Sequence, residues 1–478
     1  MAQRTDPAPK AAADKAPPLR LGPRPLPQHL SLAMATWLNS AAILPALRLG
    51  SSNWEGATSN PEPATPSPRD QNPPGQNPPG QSPQGQNPQG QAGNPPSPFP
   101  SPPGPLRESL RPRWAALFQE AQKADPAELA KALQAEGLRR FDQLLTGVET
   151  YRRHAYRRRL AEAPVLWSQG TTRLLDYRTG PTEGRDPKAP RLLVIPSLVN
   201  RYYILDLEPE QSFLRWAAAQ GMAPFVVDWG SPGDAERNFD FADYILGRLV
   251  RALEAVADEP GGPIFLVGYC MGGNLALALG LRRLREVAGL ILLATPWDFH
   301  AENKEHALML AEIGRSLEPV LQLFGELPVD ILQIFFSGYD PFQVLRKFQS
   351  FGALDPTSSG AQKFVALEDW LNDGMAVVAQ VARDCLIGWY GENRMAKNQW
   401  LVGGEAVEPQ GFTKPSLAMI PAGDRIVPPK SALALADALP DCLHALPKAG
   451  HIGMMAGRGA LPLVWEPLAK WIGEKAER

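Results

Sequence analysis

Cys270 stands where a nucleophile would have to stand, in Ile264-Phe265-Leu266-Val267-Gly268-Tyr269-Cys270-Met271-Gly272-Gly273-Asn274. The apolar run before it reads as a strand and Leu275 to Leu279 reads as helical, so the chain is expected to turn sharply with sulfur at the tip. Gly268, Gly272 and Gly273 suit such a turn because crossing backbones leave no room for a Cβ. A free thiol, with a pKa of about 8.5, is scarcely ionised at neutral pH and needs a base within reach. Of the six histidines, only His451 follows the last strand-like run, in Ala449-Gly450-His451. Asp424 follows the run before it, in Ala422-Gly423-Asp424-Arg425. His451 is placed to take the thiol proton, and Asp424 to hold the imidazole tautomer and stabilise its cation. The Met271 N–H, opening the helix, is a candidate oxyanion donor. A second donor is expected at Leu198 or Val199, in the loop Ser197-Leu198-Val199-Asn200. Cys385 and Cys442 lack any such setting and are assigned to packing, the usual fate of a cysteine.

These residues need a sheet that delivers them to one edge. Short apolar runs at 191–196, 223–228, 264–268, 289–293, 416–421 and 442–446 are separated by helical stretches. That alternation predicts an α/β fold with a mainly parallel sheet flanked by helices, of the α/β-hydrolase type. The alternation stops between Trp297 and about Phe412, where a helical, aromatic-rich insertion carries Phe324, Phe335, Phe336, Trp370, Trp389 and Tyr390. A cap at 300–411, over the carboxyl ends of the strands, is expected to gate an apolar acyl substrate. The catalytic domain is taken as 165–478.

The chain before it is different. Many of the 51 prolines precede residue 106, and 71–90 reads QNPPG, QNPPG, QSPQG, QNPQG. Such a stretch has neither period nor apolar content for a core, so 1–104 is expected to be disordered. The uncharged segment 30–47 could form a short helix on an apolar surface, and is too short and interrupted for a membrane span. Residues 105–164 read as accessory helices, broken at Asp125-Pro126. The cluster Arg152, Arg153, Arg157, Arg158 and Arg159, with Tyr151 and Tyr156, could meet phosphates, but reads first as a solvated helix face. Lys plus Arg (48) and Asp plus Glu (50) nearly cancel, so no field points to nucleic acid. Three cysteines without a C-x-x-C pair argue against a disulfide framework or zinc site and fit a reducing cytoplasm. No metal, flavin, nicotinamide or Walker-type signature is present, so no cofactor is expected.

The elbow alone does not separate families, since dienelactone hydrolases place cysteine in a similar sequence. The stretch Pro196-Ser197-Leu198-Val199-Asn200-Arg201-Tyr202-Tyr203-Ile204-Leu205-Asp206-Leu207, with Asp228-Trp229-Gly230, closely resembles polyhydroxyalkanoate synthases. Thr295-Pro296-Trp297-Asp298-Phe299, Trp370-Leu371-Asn372-Asp373 and Asp424-Arg425-Ile426-Val427-Pro428 resemble the same family, over about residues 165 to 475. The resemblance implies a Cys270–Asp424–His451 triad acting on 3-hydroxyacyl-CoA, with 3-hydroxybutyryl-CoA the first candidate. It also implies a growing polyester chain, location in the cytoplasm or at a polyester granule, and a homodimer or second synthase subunit as partner. Asp-Trp-Gly and Gly450-His451-Ile452-Gly453 look closer to the short synthases that use a second subunit. Met454-Met455-Ala456-Gly457 departs from the Asn-Pro-containing stretch common after the histidine. The same triad would serve a polyester depolymerase or thioesterase. A non-catalytic granule protein is the other alternative.

Overall fold

The structure is a computed structural model and describes residues 19–39, 113, 116–117, 119–178 and 186–477. Its contacts divide the chain into two units, one of Met1–Ser31 with Asp142–Arg478 and one of Leu32–Phe141. The smaller unit holds the first part of helix α1 (Pro126–Arg153). Asp125 starts this helix by accepting from the Ala127 and Glu128 N–H groups at 2.9 and 3.1 Å, so the Asp-Pro break is a helix cap.

The larger unit is built on eight strands: β1 (Val165–Gln169), β2 (Thr172–Asp176), β3 (Arg191–Ile195), β4 (Ala223–Asp228), β5 (Ile264–Tyr269), β6 (Gly289–Leu293), β7 (Ser416–Met419) and β8 (Cys442–Ala445). They lie in the order β1-β2-β4-β3-β5-β6-β7-β8. The first two strands join antiparallel, β2 pairs antiparallel with β4, and the rest are parallel. Both faces are covered, which explains why the central strands read as continuous apolar runs. Successive residues alternate between two cores: Leu193, Val227, Leu266, Leu290 and Leu292 on one face, Leu192, Val226, Phe265, Ile291 and Leu293 on the other. Helix α2 (Phe213–Ala219) and the carboxyl-terminal helix cover the second face, while α3 (Val250–Ala257) and α4 (Met271–Arg282) cover the first.

The α/β-hydrolase architecture expected from the sequence is therefore the one found. The β1–β2 hairpin was not foreseen. Its outer strand has an exposed and half-buried pattern without the apolar run that betrays the central strands.

Between β6 and β7 the chain leaves the sheet. It forms α5 (Lys304–Ser316), α6 (Glu318–Phe324), α7 (Val329–Ser337), α8 (Gln343–Gly352), α9 (Ser359–Asn372) and α10 (Ala379–Arg383), which runs into a π-helical stretch, Asp384–Gly391. Trp389 in that stretch stacks on Phe241 with centroids 4.8 Å apart and planes at 9°, anchoring the insertion to the sheet's helical cover.

Two expectations need correction. The arginine cluster is not one solvated helix face: α1 ends at Arg153, and Arg158 donates to fully buried Asp206 at 2.8 Å. Asp206 also accepts from Tyr177, Ser212 and Arg215, a saturated buried carboxylate. Nor is the whole of 1–104 without structure. Residues 26–38 are helical and residues 19–31 belong to the main unit. The repeat 71–90 and residues 40–47 of the apolar segment lie outside the described residues.

Candidate active site

The elbow is built by backbone strain and three close approaches. Cys270 has φ 56° and ψ −128°, a conformation that L-residues rarely adopt, held by its N–H donating to the Leu293 carbonyl at 2.8 Å. A Cβ on Gly268 would lie 2.3 Å from Gly273 Cα, and one on Gly272 would lie 2.0 Å from the Ile195 carbonyl oxygen. A Cβ on Gly273 would lie 1.9 Å from Thr295 Oγ1. Each of the three expected glycines is thus a place where β5 and α4 touch another backbone or a buried hydroxyl.

The carboxylate and imidazole arrive by a continuing zipper. The β7–β8 ladder runs past its last paired residues, with Ile420 N–H donating to Ala445 at 2.8 Å, Ala422 to Pro447 at 2.9 Å and Gly423 to Ala449 at 3.0 Å. Parallel strands carried forward in register set the next residues of each loop side by side, so Asp424 meets His451. Asp424 Oδ2 accepts from His451 Nδ1 at 2.7 Å, and Asp424 Oδ1 accepts from the Ile426 and Val427 N–H groups at 2.9 Å each. Three donors thus fix the orientation of this buried carboxylate. Tyr269 fixes the other side of His451: its hydroxyl donates to the His451 carbonyl at 3.0 Å and its ring stacks at 5.4 Å.

His451 is also hydrogen-bonded to Cys270. Burial by itself would push the imidazole down. The electrostatic influence of Cys270 and the hydrogen bond that His451 donates to Asp424 outweigh it, and the His451 pKa is raised to about 10. An imidazole that holds its proton this firmly can give it to a departing group.

Met271 is the first residue of α4, and the N–H of a first helical residue has no acceptor within its helix. The second expected donor is differently placed. Leu198 is buried in the core, while Val199 lines the cavity but donates its N–H to Ser197 Oγ at 3.2 Å. Use of the Val199 donor requires that bond to be shared or exchanged.

Above Cys270 lies a cavity of about 900 Å³. Its floor includes Ser197, Val199, Met271 and His451; its walls include Phe335, Phe336, Trp389 and Tyr390 from the insertion. Volume and apolar walls suit an acyl chain in addition to a reacting centre. The family-like motifs outside the triad stitch this wall to the sheet. Trp370 Nε1 donates to the Arg201 carbonyl at 2.8 Å and Tyr203 hydroxyl to Asp373 at 3.1 Å. Met375 N–H donates to the Val199 carbonyl at 2.9 Å, fixing the Ser197–Asn200 loop to the cap. Asn393 bridges Phe299 N–H and Asp298.

Sequence reasoning missed three contributors. Tyr339 and Tyr390 pair their hydroxyls at 3.3 Å in the wall and carry electrostatic influence from Cys270. Cys385 also lines the cavity, its thiol pushed up by burial and kept protonated. Pro23, Arg24 and His29 reach the cavity from the proline-rich amino-terminal region. Nothing in their spacing could have announced it.

More than half of the chain, residues 192–460, matches the alpha/beta hydrolase family, and the chain belongs to that family. Residues 144–217, which overlap the start of that match, match the amino terminus of poly-beta-hydroxybutyrate polymerase. Similar curated proteins are poly(3-hydroxyalkanoate) polymerase subunits PhaC. That of Haloferax mediterranei is 26% identical over 318 residues, 66% of this chain and 64% of that protein. That of Haloarcula marismortui is 26% identical over 60% of this chain and 61% of that protein. That of Allochromatium vinosum is 26% identical over 63% of this chain and 86% of that protein. The matched stretch thus spans about three fifths of the length of the two haloarchaeal relatives. The resemblance read from Pro196–Leu207 and its companion motifs is borne out.

Proposed function

We propose that this chain is a polyhydroxyalkanoate synthase that builds polyester from 3-hydroxyacyl-CoA, most simply 3-hydroxybutyryl-CoA, through a thioester on Cys270. The observation that carries the reading is a cysteine at the strained elbow, hydrogen-bonded to a protonated His451 beneath a covered apolar cavity. Similarity to the polymerases supports it.

In the first half-reaction the Cys270 sulfur adds to the thioester carbonyl of the substrate. The carbonyl electrons move to oxygen, which the Met271 N–H faces, and collapse expels the CoA sulfur with a proton from His451. One thioester replaces another, so little free energy is lost. In the second, a 3-hydroxyl oxygen attacks the Cys270 thioester and passes its proton to His451. Sulfur leaves as thiolate and an oxoester remains. Serine at the elbow would form that stable oxoester one step early and forfeit the driving force for elongation. The growing chain occupies the cavity, and the protein works at the surface of the polyester it makes, as a homodimer or with a second subunit. Among the described residues, no helix is long and apolar enough to cross a membrane.

The test follows the acyl group after CoA has left. With 3-hydroxybutyryl-CoA the chain releases CoA and forms insoluble oligoester. With butyryl-CoA, which has no attacking hydroxyl, it loads Cys270 and stalls. Sustained release of free butyrate, with no oligomer from the hydroxylated substrate, would establish a hydrolase instead.

A further inference from the structure

The cavity wall is not made by the sheet and its insertion alone. Residues 19–31 run across two insertion helices and contribute Pro23, Arg24 and His29 to the lining. The start of this strap is pinned by Arg20, whose Nε donates to Asp369 at 2.6 Å and whose other nitrogens donate to the carbonyls of His154 and Tyr156. Arg152 Nε returns a bond to the Arg20 carbonyl at 2.8 Å. Gly22 then passes so near Asn372 that a Cβ would lie 2.5 Å from its Cγ. The Asn372 amide oxygen accepts from the Arg24 N–H at 2.8 Å. Arg24 Nε continues to Asp330 Oδ1 at 2.8 Å, and Gln28 Nε2 to Ser337 Oγ at 3.1 Å.

Asp330 and Ser337 stand at opposite ends of α7, while Asp369 and Asn372 belong to the last turn of α9. The strap therefore grips α7 at both ends and ties it to α9. That grip matters because α7 has no buried residue of its own, yet turns Phe335 and Phe336 to the cavity. A helix held to the core only through half-buried side chains, Ile331, Leu332 and Phe335, is more easily displaced than a buried one.

The chemistry of this end is apolar. Arg24 is matched by Asp330 and Lys347 by Glu368 at 2.7 Å, so neither offers a free cation to a phosphate. His29 is 3% exposed, burial lowers its pKa, and its Nε2–H donates to the Arg24 carbonyl at 3.3 Å. Beside these mutually paired charges, Pro23, His29, Phe335 and Phe336 supply the apolar part of the lining, a surface for acyl carbon.

We propose that residues 19–31 form the specificity-determining wall of the cavity, a strap that clasps α7 to α9 and limits the size of acyl group that reaches Cys270. The inference deepens the reading of Cys270 as the acylated residue and rests on it.

The test uses the full-length protein and the variants Arg24→Asp and Arg24→Asp/Asp330→Arg, following alkylation of the Cys270 peptide by mass spectrometry. Iodoacetamide, which is small, labels all three at similar rates. A bulky maleimide labels Arg24→Asp at least about fivefold faster than wild type, as expected when an ion pair and its neighbouring contacts are lost, and the reversed pair restores the slow rate. The ratio of kcat/KM for 3-hydroxydecanoyl-CoA to that for 3-hydroxybutyryl-CoA rises in parallel. Unchanged bulky labelling overturns the proposal, as does an acceleration that the reversed pair fails to correct. The labelling pattern together with no acylation by any thioester would uphold the wall and remove the transferase reading.

Discussion

At the level of single residues the site turns on how His451 is held between Asp424 and Cys270. Cys270→Ala removes the thiol at the elbow, so it should abolish CoA release while the protein stays folded; Cys442→Ala, distant at the sheet edge, should not. A thiol-independent assay of CoA release from the Cys270→Ala protein decides the point, and retained turnover would falsify the assignment. The proton on His451 gives a second, activity-independent readout. Its pKa is raised to about 10, above an unfolded value of about 6.5, so the native state holds the proton more tightly. Stability from this group is complete below about pH 6.5 and is lost as pH climbs toward 10, because between those limits His451 itself holds its proton in the folded chain and not in the unfolded one. Charge on Cys270 is the strongest of the raising influences. Imidazole titration by NMR should therefore show His451 falling toward or below its ordinary value in Cys270→Ala. An unmoved His451 would mean that sulfur carries no charge there.

At the level of elements, the β5–α4 junction shows both how much could be read and where reading stopped. Cys270 between Gly268 and Gly272 was legible because a tight turn restricts residue type regardless of the rest of the chain. The same logic makes substitution costly in one place and harmless in another. Gly272→Ala puts a Cβ 2.0 Å from the Ile195 carbonyl, backbone that cannot yield without moving β3. A loss of about 2–4 kcal/mol is expected. Gly473, exposed within the last helix (Glu466–Ala476), has nothing within 4 Å of its Cβ position. Gly473→Ala should gain about 0.5–1 kcal/mol from helix propensity. Urea unfolding midpoints of the two variants test this; a tolerated Gly272→Ala would mean the elbow has slack that its distances deny. Asp424 and His451 were legible for a related reason, since strand order fixes which loops converge. The hydroxyl pair Tyr339–Tyr390 was not, because two residues 51 apart in a helical insertion meet only through packing that no local period encodes. The β1–β2 hairpin escaped too: an edge pair half exposed on one strand lacks the apolar run by which the central strands declare themselves.

At the level of the whole molecule, composition separates the amino-terminal region from the body, and that separation is only partly real. Proline and glycine around residues 19–31 look the same in sequence as those of the repeat, because a strap held by side-chain bonds to distant helices needs no periodicity of its own. The difference predicts opposite outcomes for two deletions. Removing the twenty residues 71–90, whose composition predicts a solvated linker, alters the closure cost of the connection from Ser31 to Asp142 by only about 0.2 kcal/mol, since that cost grows with the logarithm of length. Removing residues 1–31 takes away Arg20, 8% exposed and bonded to Asp369, and leaves that carboxylate only the Tyr151 hydroxyl at 3.0 Å among its strong partners. It also takes the Arg24 N–H from the Asn372 amide oxygen and releases both ends of α7 from the strap. A loss of about 2 kcal/mol is expected, which lowers the melting temperature by about 3–5 °C, against less than about 1 °C for the repeat deletion. Thermal melts of the two proteins beside wild type decide between a chain whose first hundred residues are uniformly dispensable and one whose catalytic cavity begins at residue 19. Equal melting temperatures in all three would place the strap with the linker and return the cavity wall to the insertion alone.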